Sequence, residues 1–338
     1  MKVGILNITG YGGIELARIL NRHPEFEITS ITGRSASGKQ LADIFPHLSV
    51  LDLTIKDQLD EGLDIVFSAL PHAASAKKLM PYIEKGQRVI DFSADFRLND
   101  PKEYQFWYGT DHPLPSYLNT ATYGLPELNR EQIKNAELVA NPGCYPTAIQ
   151  LGFLPLLEQD LVHADSLIAD AKSGVSGAGR KAAMTSQFCE AADSFKAYSV
   201  EGHRHLPEIK QSLQKISKEE IDLVFVPHLT PMIRGIHATL YARLKDTSID
   251  LQQVFAQRYK HEPFVDLMPS GSHPDTSSVR GSNSCRLACH RPQDGSTVVV
   301  LAVEDNLVKG AAGQAIQNMN LMFSLPETTG LTAPAVYP

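Results

Sequence analysis

The sequence predicts an α/β protein in two parts, a parallel sheet with right-handed crossovers followed by an α+β domain on a mostly antiparallel sheet. Three observations predict it. Residues 1–20 read as strand, glycine turn and helix. Strand-length apolar runs then recur as far as Ala140 with a helical stretch among them, as in sheets whose neighbouring strands run parallel. Beyond that point the strands lengthen, and Ile236-His237-Ala238-Thr239-Leu240-Tyr241-Ala242 alternates apolar with more polar positions, as on a sheet with one covered face. With 338 residues and 43% hydrophobic content the chain can bury a large core, and two domains are expected.

Met1-Lys2-Val3-Gly4-Ile5-Leu6 is the first strand. It ends at Asn7-Ile8-Thr9-Gly10-Tyr11-Gly12-Gly13, after which Ile14, Leu16, Ala17, Ile19 and Leu20 keep helical spacing. Such a turn brings backbone N–H groups and a helix N-terminus against a pyrophosphate, with glycines wherever a side chain would block the approach. A G-x-x-G-x-x-G turn would have its first glycine at position 7, where this chain has Asn7. Asparagine tolerates left-handed backbone better than most residues, so the turn is expected to survive with an altered pyrophosphate fit. The second strand, 26–32, ends in Gly33-Arg34-Ser35-Ala36-Ser37-Gly38-Lys39. No acid stands at its tip to accept from a ribose 2′-hydroxyl, whereas Arg34 and Ser35, with Ser37 or Lys39, suit the extra phosphate of NADP.

Further strands are expected at 64–70, 88–92 and 137–140, with a helix around 73–84. Ligands of a parallel sheet gather at the carboxyl ends of its strands, so 9–13, Pro71-His72 and Cys144 are expected on one rim. Cys144 sits in Asn141-Pro142-Gly143-Cys144-Tyr145-Pro146-Thr147, directly ahead of the apolar, helix-like run 148–154. At a helix N-terminus the unpaired N–H groups and the dipole favour a thiolate, the reactive form of cysteine. Pro142 and Gly143 shape the turn before it, and Pro146 fits a first helical turn because its missing N–H would have been unpaired anyway.

In the second half, strands are expected at 166–171, 221–226, 235–244, 285–290 and 297–303, and helices near 181–192, 207–216 and 250–260. The tail 326–338, rich in Thr, Pro and Ala, is expected to be extended or frayed. Three stretches have chemical potential. Lys172 to Arg180 is a small-residue loop able to wrap a phosphate or pass beside a nicotinamide. Glu201-Gly202-His203-Arg204-His205-Leu206-Pro207-Glu208 places two histidines ahead of a helix, and a histidine beside a thiolate keeps it ionised and serves as general acid or base. In the third, 227–235, Arg234 can pair bidentately with a carboxylate or phosphate.

Composition excludes several classes. A formal net charge of -7 and the lack of any long Lys/Arg run argue against nucleic acid as a partner. Apolar stretches are strand-length, and Met1 leads straight into a strand, so neither a membrane partner nor a signal peptide is expected and the location is expected to be cytoplasmic. The four cysteines, Cys144, Cys189, Cys285 and Cys289, show no paired zinc pattern. Cys285 and Cys289 are explained by one face of a half-buried strand, and no metal is expected.

Taken together, Thr9 to Gly13, Asp91-Phe92-Ser93-Ala94-Asp95-Phe96-Arg97, Tyr123 to Glu127, the segment around Cys144, Ser173 to Arg180, His203-Arg204-His205-Leu206-Pro207-Glu208-Ile209 and Asp305 to Ala315 resemble the N-acetyl-gamma-glutamyl-phosphate reductase family, in order over nearly the whole chain. The resemblance implies an NADP-binding Rossmann domain over 1–143. It implies an α+β catalytic and dimerisation domain of the glyceraldehyde-3-phosphate dehydrogenase type over 144–305. A third segment, 306–338, would be a C-terminal helix around 309–323 and a tail returning to the first domain. The implied reaction is NADPH-dependent reduction of N-acetyl-glutamyl 5-phosphate to the 5-semialdehyde and phosphate, a step of arginine biosynthesis, in a dimer or tetramer. Cys144 would be the nucleophile and His205 the acid, with His203 the alternative. Pyrophosphate and ribose contacts would fall on Thr9, Gly10, Tyr11, Gly12, Gly13, Arg34 and Ser35, and nicotinamide contacts on Ser176, Gly177 and Asn306. Arg97 and Arg234 would hold the substrate's phosphate and carboxylate. Two rivals stand beside this: a same-fold reductase of a longer, carrier-bound or aspartyl acyl phosphate, and a nucleotide-sensing protein without chemistry, suggested by Asn7.

Overall fold

The computed structural model describes residues 1–337. Two compact units divide the chain, Met1–Pro142 with Ala311–Thr332, and Gly143–Gly310 with the tail from Ala333 onward.

The first unit is a parallel sheet of β1 (Lys2–Leu6), β2 (Glu27–Thr32), β3 (Ile55–Lys56), β4 (Ile65–Ser68), β5 (Arg88–Asp91), β6 (Thr122–Tyr123) and β7 (Leu138–Ala140), in the order β3-β2-β1-β4-β5-β7-β6. Every pairing is parallel, so both faces must be covered, and the central strands are mostly apolar and buried. Helices α1 (Tyr11–Leu20), α2 (Leu41–Ile44), α3 (Ser75–Ile83), α4 (Pro101–Tyr108) and α5 (Pro126–Lys134) make the connections. Leu6, Val66, Leu79, Val89, Phe96 and Leu138 form one buried cluster, each side chain contributing about 1.5–3 kcal/mol when fully withdrawn from water. The chain winds outward from β1 in one direction and from β4 in the other. That reversal puts a crevice at the carboxyl ends of β1 and β4, where such sheets hold ligands.

The second unit opens with α6 (Cys144–Glu158), whose residues from Tyr145 to Leu157 are all buried. It packs against a mixed sheet of β8 (Leu167–Gly174), β9 (Lys196–Ala197), β10 (Leu223–Thr230), β11 (Ile236–Arg243), β12 (Val265–Leu267), β13 (Cys285–His290) and β14 (Thr297–Glu304). Its order is β12-β13-β14-β11-β8-β10-β9, with β12/β13 and β8/β10 parallel and the other neighbours antiparallel. On β11 the residues Ile236, Ala238, Leu240 and Ala242 point inward, and a side chain at Gly152 of α6 would collide with Leu240. The approach of helix to sheet therefore requires glycine there.

One expectation needs correction. The helix expected over 181–192 is only a 3-10 turn, Met184–Ser186, and the four-residue α7 (Phe188–Ala191). Met184 and Phe188 are 67% and 84% exposed, so the segment has no buried apolar face to sustain a helix. Helices α8 (Leu206–Gln214) and α9 (Leu251–Tyr259) lie where expected, each with a buried face. The tail, expected to be extended or frayed, has neither helix nor strand and is held in place: Glu327 pairs with Arg130 at 2.5 Å, Leu331 is buried, and Val336 N donates to Arg280 O at 2.8 Å, while Pro338 lies outside the described residues. The segment after the boundary expected at 306 opens on an irregular turn. A π-helical turn, Val308–Ala312, precedes α10 (Gly313–Met322), and the chain joins the first unit only at Ala311. Asn306 is pinned in the second unit by hydrogen bonds to Gly235 N at 2.7 Å and Ser176 Oγ at 2.9 Å.

Candidate active site

In the first unit, Asn7 has φ +64°, the left-handed conformation for which a glycine is the usual choice. Its side chain compensates by strapping the turn: Nδ2 donates to Ala69 O at 2.8 Å, beyond the end of β4, and Oδ1 accepts from Thr9 Oγ1 at 3.3 Å. Gly13 is required sterically, since a Cβ there would lie 2.8 Å from Asn7 O and 2.9 Å from Ile8 Cα. A Cβ on Gly12 would press on Phe92 at 3.2 Å, whereas one on Gly10 would meet nothing closer than 3.6 Å. Helix α1 starts at Gly10 with no side-chain cap and no acid in its first turn, which leaves its N-terminal N–H groups to an anion.

At the tip of β2, Gly33 packs under Thr9, and Arg34 and Ser35 are exposed. No ion pair engages Arg34 among the described residues. Glycine cradle, uncapped helix and free cation together fit NADP. Replacing Arg34 with Glu is expected to lower the preference for NADPH over NADH by about tenfold or more, read as the ratio of kcat/KM values. An unchanged ratio would place the 2′-phosphate elsewhere.

The second unit carries the candidate nucleophile. Cys144 is the first residue of α6, partly exposed, behind an N-cap Gly143 that has no side-chain cap; the first turn contains no acid. The dipole therefore acts on the sulfur without competition from a carboxylate in that turn. By contrast, burial pushes the Cys289 thiol up to about 11, so it is inert at neutral pH. Gly143 N donates to Glu208 Oε1 at 2.8 Å, and Glu208, only 1% exposed, lies in the first turn of α8. One carboxylate thus ties the cysteine turn to the helix that follows the histidines.

His205 is the N-cap residue of α8, and its ring lies 4.8 Å from that of His203 and 6.0 Å from that of Tyr145, centroid to centroid. His203 is enclosed by Tyr145, Tyr198 and Phe225. Burial, aided by the neighbouring Arg204 charge, lowers its pKa to about 4, and its Nδ1 accepts from His205 N at 3.1 Å. His203 is thus neutral at physiological pH, with its proton on Nε2, and supports the backbone of His205. Tyr145 donates to His228 O at 2.9 Å, and Tyr198 hydroxyl lies 3.4 Å from Tyr145 hydroxyl. Burial first, and the Cys144 charge to a lesser degree, push Tyr198 up to about 12, so it keeps its proton.

Ser176, Gly177 and Asn306 come together in this unit. A Cβ on Gly177 would lie 2.7 Å from Ser173 Oγ and 3.8 Å from Asn306 Nδ2. Arg234 is held by the fully buried Asp305, with Nε 3.0 Å from Oδ2, and retains 20% side-chain exposure. Arg97 departs from expectation. It is 4% exposed in the first unit, and Nε and Nη2 donate to Asn141 O at 2.8 Å and Phe92 O at 2.7 Å. Its guanidinium joins the ends of β5 and β7 and is not presented to a ligand, which corrects the role expected of it as a substrate anchor. Among the described residues no helix is long and apolar enough to cross a membrane, and no group of three or more His, Cys, Asp or Glu is placed to hold a metal ion. No role for Glu208, Tyr145 or Tyr198 is legible in the sequence, because their partners lie 65, 83 and 53 residues away.

A dinucleotide-type sheet joined to a mixed-sheet domain that opens on a cysteine at a helix N-terminus defines a class, the semialdehyde dehydrogenases. Residues 2–136 match the model of the semialdehyde dehydrogenase NAD binding domain, and 144–306 that of the semialdehyde dehydrogenase dimerisation domain. The fold is shared with aspartate semialdehyde dehydrogenase II from Vibrio cholerae complexed with ASA (TM-score 0.71, 17% identity, 96% of this chain and 98% of that one). It is shared equally with aspartate semialdehyde dehydrogenase with NADP from Candida albicans (TM-score 0.71, 17% identity, 95% and 98%). Within the class, the chain is 57% identical to the N-acetyl-gamma-glutamyl-phosphate reductase of Ectopseudomonas mendocina and 55% identical to that of Nitrosospira multiformis, covering 100% of both sequences in each case. The chain belongs to the N-acetyl-gamma-glutamyl-phosphate reductase family.

Proposed function

We infer that the protein reduces N-acetyl-L-glutamyl 5-phosphate to N-acetyl-L-glutamate 5-semialdehyde and phosphate with NADPH, a step of arginine biosynthesis. The observation that carries this is full-length identity above half to reductases of that name, in a chain whose Cys144 is the first residue of the long, uncapped helix α6. The Cys144 thiolate attacks the acyl carbon, phosphate leaves, and a thioester remains on the sulfur. Phosphoryl activation is what makes this possible, because an unactivated carboxylate has too poor a leaving group. When bound, NADPH supplies the hydride that reduces the thioester. His205 protonates the alkoxide oxygen of the resulting thiohemiacetal and takes the proton back as the C–S bond breaks, which releases the aldehyde and restores the thiolate.

Thr9, Gly10, Tyr11, Gly12 and Gly13 are proposed to hold the pyrophosphate, Arg34 and Ser35 the 2′-phosphate, and Ser176, Gly177 and Asn306 the nicotinamide side. Arg234, oriented by Asp305, is proposed as the anchor for a substrate anion. A homodimer or tetramer is proposed through the second unit, on whose open sheet face Ile168 and Val224 are 41% and 54% exposed. A cytoplasmic location suits a biosynthetic enzyme that works with NADPH. The test is turnover of N-acetyl-glutamyl phosphate against its one-carbon-longer homologue. Faster reduction of the shorter chain is expected, and preference for the longer one would reassign the enzyme to another acyl phosphate.

A further inference from the structure

Asp91-Phe92-Ser93-Ala94-Asp95-Phe96-Arg97 takes no part in the chemistry above, yet it buries two carboxylates completely. Asp95 Oδ1 accepts from Ala73 N at 2.7 Å and from Tyr104 hydroxyl at 2.9 Å; Oδ2 accepts from Ser75 N at 3.0 Å and Ala76 N at 2.9 Å. Three of these donors are backbone N–H groups at the start of α3, whose own N-cap residue, Ala74, offers no side-chain bond. Asp95 is therefore a helix cap supplied from another strand connection. It also holds Ala73 at φ +62°, a left-handed conformation that an L residue adopts only when its surroundings enforce it. The same segment is gripped twice more. His72 Nδ1 accepts from Ala94 N at 2.9 Å, and Ser75 hydroxyl donates to Asp91 Oδ1 at 2.6 Å.

The position of this segment gives the clamp its meaning. Residues 69–74 leave the carboxyl end of β4, beside the turn that leaves β1, and Asn7 already bonds Ala69 O across the crevice between them. A dinucleotide lies across that crevice in sheets of this winding. We propose that Asp95 is a positioning residue for the cofactor, shaping the segment after β4 into the form that NADPH binds. This rests on the NADPH reading given above.

The test uses the full chain and an equilibrium NADPH titration, without acyl substrate, beside steady-state kinetics. Asp95→Asn keeps the volume but turns an NH2 group toward N–H or O–H donors. It should raise the NADPH dissociation constant and KM about tenfold, with kcat at saturating NADPH changed by less than about twofold. Glycine adopts left-handed backbone unaided, so adding Ala73→Gly should bring the Asp95→Asn protein back to within about threefold of the parent affinity. Tyr104→Phe, which removes one donor and leaves the backbone bonds in place, should weaken NADPH binding about threefold even if Asp95→Asn does not fold. Parent-like affinity in folded Asp95→Asn, no recovery with Ala73→Gly, or unchanged affinity in Tyr104→Phe would each overturn the proposal. Failure of the parent protein to bind NADPH would instead overturn the cofactor reading beneath it.

Discussion

Cys144→Ser is expected to cut NADPH-dependent reduction by at least about 10³-fold, because a serine hydroxyl is a far weaker nucleophile than a cysteine thiolate. The helix N-terminus can stabilise an anion by about 1 kcal/mol, enough to shift a thiol toward thiolate and far too little to ionise an alcohol. NADPH binding should be unchanged, since the glycine turn and Arg34 belong to the other compact unit. The side chains differ by one atom and Cys144 is only partly buried, so folding should be unaffected. Single-turnover absorbance at saturating NADPH measures the loss, and a fluorescence titration measures the retained binding. Residual turnover above about one per cent would remove Cys144 from the nucleophile's role.

The second large effect is expected at the histidines, and it is selective. His205→Asn should slow the reduction by about 10² to 10⁴-fold and should also slow iodoacetamide labelling of Cys144 at neutral pH. His203→Asn should do neither to that extent. Burial holds the pKa of His203 near 4, so over pH 5–8 it stays neutral, is not the imidazolium that protonates an alkoxide, and does not change its charge across the working range. The sign is definite: a lowered pKa favours the neutral ring above about 4, and only below that value would His203 become charged. A pH–rate profile from pH 5 to 8 should therefore keep its shape in His203→Asn. A larger loss of rate and of labelling in His203→Asn than in His205→Asn would exchange the two assignments.

The parts of this protein legible in its sequence are those built from neighbours in the chain. Strand, glycine turn and helix at 2–20 follow from periodicity and glycine placement, and the left-handed backbone at Asn7 follows from its position in the turn. The same holds for Cys144, where Pro142, Gly143 and the apolar run behind it announce a helix N-terminus. Where burial decides, sequence reading falters. The 181–192 segment has helical composition but no face to bury, and Arg97 carries a ligand-binding side chain whose donors are closed off by the carbonyls of Phe92 and Asn141.

By itself, then, the sequence determined the main strands, the glycine turn, the cysteine at a helix N-terminus and the family, because each rests on local backbone preference or on a run of adjacent residues. Only the tertiary structure decided that His203 is ringed by aromatic side chains and held neutral, that Glu208 holds the cysteine turn from 65 residues away, and that Asp95 caps a helix it does not belong to. Desolvation and long-range hydrogen bonding depend on what surrounds a group in space. Side chains distant along the chain supply those surroundings, and the fold alone brings them together.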